Sequence, residues 1–156
     1  MTRDPHPKSP GLSVSITEPM IHKLVHAFYA DVRRDPLIGP IFESHIENWD
    51  EHLEKLVAFW SSVTLMTGRY KGRPMAVHIG LPEISRAHFE RWLALFRACA
   101  REICPPQAAA VFIERAERIA ESLHLGISLH RGEPPGIAPP DFRSPAITEP
   151  KPEPAS

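Results

Sequence analysis

The sequence predicts an all-α chain, and three observations predict it. Apolar residues recur three and four apart over long stretches, the spacing of one helix face. No run alternates apolar and polar residues between turn signals, so no sheet is expected. The 18 prolines among 156 residues crowd the ends and the connectors, which leaves helical stretches between them.

The elements follow in order. Met1 to about Ile16 reads as a flexible polar N-terminal tail. The first helix is predicted from Glu18 to Arg34. Thr17 suits its N-cap, Pro19 its first turn, and Arg33 and Arg34 its C-terminal dipole. Asp35-Pro36 stops it, because the residue before proline is pushed out of the helical region. A loop or short turns are expected through Gly39-Pro40-Ile41-Phe42.

The second long helix is predicted from Trp49 to Met66. Asn48 with Glu51 resembles a capping box, and Gly68 is the expected terminator. On this helix His52, Leu56, Phe59 and Val63 fall within an arc of about 60°. A broken connector, Thr67 to Pro82, comes next. A third long helix, from Ser85 to Ile103, places Phe89, Trp92, Leu93, Phe96 and Ala100 on one face. Cys104-Pro105-Pro106 ends it. The last helix runs from about Pro106 to His130, with an apolar stripe of Ala108, Val111, Phe112, Ile119, Leu123 and Ile127. These boundaries divide the chain into a tail over 1–16, one helical domain over 17–132, and a disordered Pro-rich tail over 133–156.

Composition excludes several classes. A net charge of −1 supplies no basic footprint for nucleic acid or an anionic membrane. No apolar run reaches the ~18 residues needed to span a bilayer, and Met1 to Ser15 lacks an apolar core of the signal-peptide kind. A cytoplasmic location is the expectation. Two cysteines, Cys99 and Cys104, are too few for an all-cysteine zinc site or an iron–sulfur cluster. No H-E-x-x-H, G-x-S-x-G or Gly-rich phosphate loop occurs. Glu114, Glu117 and Glu121 alternate with Arg115 and Arg118, the pattern of a solvated, ion-paired face.

The residues with chemical potential are two histidines, a tyrosine and a tryptophan. His78 sits in the apolar segment Arg73 to Pro82, bounded by prolines and a glycine. It suits an axial ligand of haem iron, or a partly buried histidine bonded to backbone. His52 lies on an apolar stripe, as a pocket residue or as a boundary histidine paired with Asp50 or Glu51. Tyr29, beside Val25 and Val32, and Trp92 suit either a core or a pocket that needs hydrogen-bond donors. His22 and His26, four apart, could share a metal, but no third ligand is evident. His45, His88, His124 and His130 read as surface or rim.

Taken in order, these stretches resemble the group III branch of the truncated haemoglobins. The residues that carry the resemblance are Phe28-Tyr29, Asp31-Val32-Arg33 with Asp35, and Leu37-Ile38-Gly39-Pro40-Ile41-Phe42. Trp49-Asp50-Glu51-His52, Phe59-Trp60 and Gly68 to Met75 follow. His78 with Leu81-Pro82 and His88-Phe89 with Trp92-Leu93, Leu95 and Phe96 complete it. It spans about Thr17 to Gly132 and leaves out the Pro-rich extension. The paired glycines of the group I branch are missing.

The resemblance implies a globin-like, two-over-two helical sandwich holding haem b, iron protoporphyrin IX. His78 would ligate the iron. Tyr29, His52 and Trp92 would face the ligand side. Phe42 would pack on the haem edge, and Leu56, Phe59 and Trp60 would line the wall. Tyr70 and Arg73 would meet the propionates, since a phenol and a cation suit a carboxylate. The implied function is binding of O2, NO or CO, with His52 gating entry. The alternative is an enzyme that performs NO dioxygenation or peroxide reduction with electrons from a separate reductase. A haem-free helical interaction module using the Pro-rich tail is a third class.

Overall fold

Seventeen residues, Glu18–Arg34, form α1. The Thr17 hydroxyl accepts a hydrogen bond from the Met20 N–H at 3.3 Å and so caps the first turn. Ile21, Leu24, Val25, Phe28, Tyr29 and Val32 are its buried residues, a stripe at three- and four-residue spacing. The computed structural model describes residues 4–72 and 84–132.

Asp35 ends α1 in an extended conformation and at the same time starts α2, Gly39–His45. Its carboxylate accepts from the Leu37 N–H at 2.9 Å and the Ile38 N–H at 3.0 Å. Its carbonyl accepts from the Gly39 N–H at 2.9 Å. A two-turn helix thus stands where the sequence suggested a loop or short turns. The nucleating group is Asp35, upstream of the glycine and proline that read as loop residues. Gly39 is required by close approach, because a Cβ there would lie 2.9 Å from the carbonyl oxygens of Val32 and Arg33.

α3 spans Trp49–Leu65, and the Asn48 side chain accepts from the Glu51 N–H at 3.1 Å. The helix reverses at Met66, φ 56°, two residues before the expected Gly68. Side-chain anchoring beside the turn explains the earlier stop. The Ser61 hydroxyl donates to Glu18 at 2.7 Å and lies 2.7 Å from the Thr67 hydroxyl. Ser61 and Thr67 are both buried, so this network holds the chain through the reversal.

α4 is Arg86–Ile103 and α5 is Pro106–His130. Ser85 and His88 cap the start of α4 reciprocally. α1 packs on α3, α4 packs on α5, and the two pairs meet through α1 with α4 and α3 with α5, while α2 rests on α1. This is the all-α, two-over-two globin sandwich. Its centre is aromatic: Trp60 of α3 stacks on Phe96 of α4 at 5.1 Å and meets Phe112 of α5 at 5.9 Å.

The stretch before α1 is fastened to the end of α3. The His6 N–H donates to the Leu65 carbonyl at 2.8 Å, and the Gly11 N–H to the Thr64 carbonyl at 2.7 Å. Ile16 is buried. Among the described residues no strand occurs, and no helix is long and apolar enough to cross a membrane.

Candidate ligand pocket

Tyr29 is the centre of the candidate site. It occupies the buried stripe of α1, one helical turn after Val25 and three residues before Val32. Its phenol is almost fully enclosed, and burial pushes its pKa up to about 12, while the neighbouring Trp92 indole works in the opposite sense. The phenol is therefore a neutral O–H at any physiological pH.

Three other elements bring aromatic rings to Tyr29. Phe42 of α2 stands edge-on at 5.7 Å. Trp49 and His52 of α3 each lie 6.3 Å away, His52 at 90° to the phenol ring. Trp92 of α4 meets Phe28 edge-on at 5.5 Å and stacks on Phe96 at 5.6 Å. So Phe42 and His52, expected to share one pocket with Tyr29 and Trp92, stand beside the phenol, and Trp92 packs on its neighbour Phe28.

The wall residues divide into two kinds. Leu56 and Phe59 are half-buried on α3 and pack on the edge of the core, as do Leu53, Val57 and Val63. Trp60 is 2% exposed, and its rings face Phe59, Phe96 and Phe112. Its place is in the central aromatic stack, behind the half-buried strip. Tyr70 meets Phe59 edge-on at 5.2 Å, and its N–H donates to the Ser62 hydroxyl at 2.9 Å. Burial raises the Tyr70 phenol above its ordinary value. His78 and Arg73 lie outside the described residues.

Two features carried no strong signal in the sequence. Trp49 sits at the first turn of α3 with its ring 5.6 Å from His52 and under the Arg33 guanidinium at 4.4 Å. Its indole N–H is buried without a hydrogen-bond partner. The three-residue spacing from His52 on one helix face was the available clue. Arg91 of α4 donates to the Asp35 carboxylate at 2.6 Å and ties the α1–α2 corner to α4. Among the described residues no group of three or more His, Cys, Asp or Glu side chains could hold a bare metal ion. His22 and His26 stack at 4.0 Å on the outside of α1.

The pocket residues fit haem. The half-buried apolar strip of α3 with Phe42 offers a surface to a flat macrocycle. The Tyr29 phenol and the Trp92 indole suit the donors a small polar ligand needs.

No family model matches the chain. The curated protein "Group 3 truncated hemoglobin ctb" of Campylobacter jejuni is 36% identical over 110 residues, covering 68% of this chain and 87% of that protein. The crystal structure of a group III truncated haemoglobin from Campylobacter jejuni superposes with a TM-score of 0.67 at 34% identity, covering 70% of this chain and 90% of that one. With its helical sandwich and its phenol-centred pocket, this chain belongs to the group III truncated haemoglobins, a family of haem globins.

Proposed function

We propose that the chain holds haem b through His78 and binds O2, with NO and CO as further ligands, beside Tyr29, His52 and Trp92. The observation that carries this reading is the enclosed, neutral Tyr29 phenol with Phe42 and His52 at its edge. When bound, haem supplies an iron with one open coordination position for a diatomic molecule. Everything else is done by the chain. The Tyr29 O–H and the Trp92 N–H donate to the ligand. His52, edge-on to Tyr29, stands where it can gate entry. Phe42, Leu56 and Phe59 exclude water, with Trp60 stiffening the helix behind them. Arg73 and Tyr70 suit the propionates. Residues 17–132 form the haem domain in this reading, the Pro-rich segment 133–156 is an appendage, and the cytoplasm is its location.

A hydrogen bond to a charged acceptor contributes about 1.5–3 kcal/mol, which corresponds to about tenfold to a hundredfold in ligand escape. Tyr29→Phe should raise the O2 dissociation rate by that factor in stopped-flow measurements. Trp92→Phe should raise it as well, because its indole N–H is the second donor. Unchanged rates in both variants would remove the hydrogen-bonding role.

The same donor pair favours a second reading, chemistry on the ligand. Tight retention of O2 suits NO dioxygenation, and polar donors over a vacant position suit peroxide reduction, each with electrons from a separate reductase. Consumption of NO or peroxide by the protein with a reducing system, above that of the reducing system alone, distinguishes turnover from storage.

A further inference from the structure

Three charged and aromatic side chains from three helices line up at the edge of the pocket. Glu43 of α2 accepts from the Arg33 Nε of α1 at 2.9 Å. The Arg33 guanidinium lies 4.4 Å over the ring of Trp49, the first residue of α3. Trp49 in turn stands at 90° to His52, 5.6 Å away, and His52 stands at 90° to Tyr29. Phe42 stacks on the indole at 6.4 Å. The indole N–H is buried and has no hydrogen-bond partner. A buried N–H left unpaired works against the fold, so hydrogen bonding does not account for the placement of this ring. What holds the ring is the cation above it and the rings beside it.

We infer that Trp49, clamped by Arg33 and Glu43, is a positioning residue for His52, and that it holds the imidazole against Tyr29 across the entrance to the pocket. The inference deepens the haem reading above and rests on it. The geometry is specific to the indole. His52 occupies the next turn of the same helix face, so the Trp49 ring limits where the imidazole can swing. Arg33 and Glu43 are both half-exposed, so their pair alone contributes little. Its effect comes through the placement of the guanidinium over the indole.

The test is CO association to the ferrous protein by flash photolysis, with Trp49→Leu, Arg33→Met and Arg33→Lys, each in the parent and in His52→Ala. Arg33→Met should speed association about two- to fivefold, the factor that a partly exposed cation–π contact corresponds to. Trp49→Leu should speed it more, and Arg33→Lys should restore most of the parent rate. In the His52→Ala background all three should have little further effect. The His52 imidazole resonances of the full-length chain should shift in Trp49→Leu and Arg33→Met and return towards parent values in Arg33→Lys. Rates that do not change, or that change equally without His52, overturn the inference while leaving the haem reading intact. A chain without a Soret band would instead overturn the haem reading. The imidazole resonances of the chain as purified then decide the positioning of His52, and unmoved resonances overturn it.

Discussion

At the residue scale, Tyr29 sets the character of the pocket through its environment. Enclosure makes the phenolate costly, so the group stays a neutral O–H. Its folded pKa of about 12 lies above the ordinary value of 10.0. A phenol raised in this way favours the fold fully below pH 10 and loses that contribution as pH climbs through 12. Alkaline titration followed by tyrosinate absorbance should therefore leave Tyr29 un-ionised near pH 10. Tyr29→Phe should delete the later step and soften the alkaline loss of stability. A full two-tyrosine step near pH 10 in the folded protein would contradict the enclosure. The residue types at Tyr29, His52 and Trp92 were legible in the sequence through helical spacing and family resemblance. Their convergence was legible only through the resemblance, because helical spacing does not say which helices cross. The role of Trp49 was hidden for the same reason: its partners Arg33 and Phe42 lie on other elements.

At the element scale, the corner between α1 and α2 shows why helix ends were read well and one helix was read as loop. Thr17 and Asn48 cap their own helices from the next residue back, so local sequence announces them. α2 depends on Asp35, a residue that also closes α1 and pairs with Arg91 fifty-six positions later. Burial pushes the Asp35 carboxyl up, but the Ile38 N–H, Arg91 and the Leu37 N–H outweigh it, so it ends below its ordinary value. A depressed carboxyl stabilises the fold above its unfolded pKa and loses that contribution as pH falls through the folded one. Asp35→Asn should cost about 1.5–3 kcal/mol at neutral pH in urea unfolding, and the difference from the parent should shrink on acidification below about pH 4. A penalty that stays constant with pH would mean that the charge of Asp35 is not what holds the corner.

At the scale of the whole molecule, one aromatic stack joins three helices and backs the pocket. Trp92, Phe96 and Trp60 stack in sequence, and Phe112 closes the far side from α5. Trp60→Ala should lower stability by about 3–5 kcal/mol, since the ring is 2% exposed and its neighbours cannot collapse onto the space. Leu56→Ala, at a half-buried site, should cost less stability and disturb the haem spectrum more. The reverse ranking would place Trp60, not Leu56, on the pocket wall. The fold class and the four long helices were written in the periodicity of the sequence. The fastening of residues 6–16 to α3 was not, because it runs through backbone groups that every residue carries. Gly11 is its one local sign: a Cβ there would lie 2.8 Å from the Thr64 carbonyl.

The central claim is that this sandwich carries haem on His78. The most direct measurement is the absorption spectrum of the purified protein in the ferric, dithionite-reduced and CO-bound reduced forms, beside His78→Ala. The account predicts a Soret band that shifts with CO in the parent and is lost or grossly altered in the variant. A parent that cannot be reconstituted with haem, or a variant whose spectra match the parent in all three states, would contradict it.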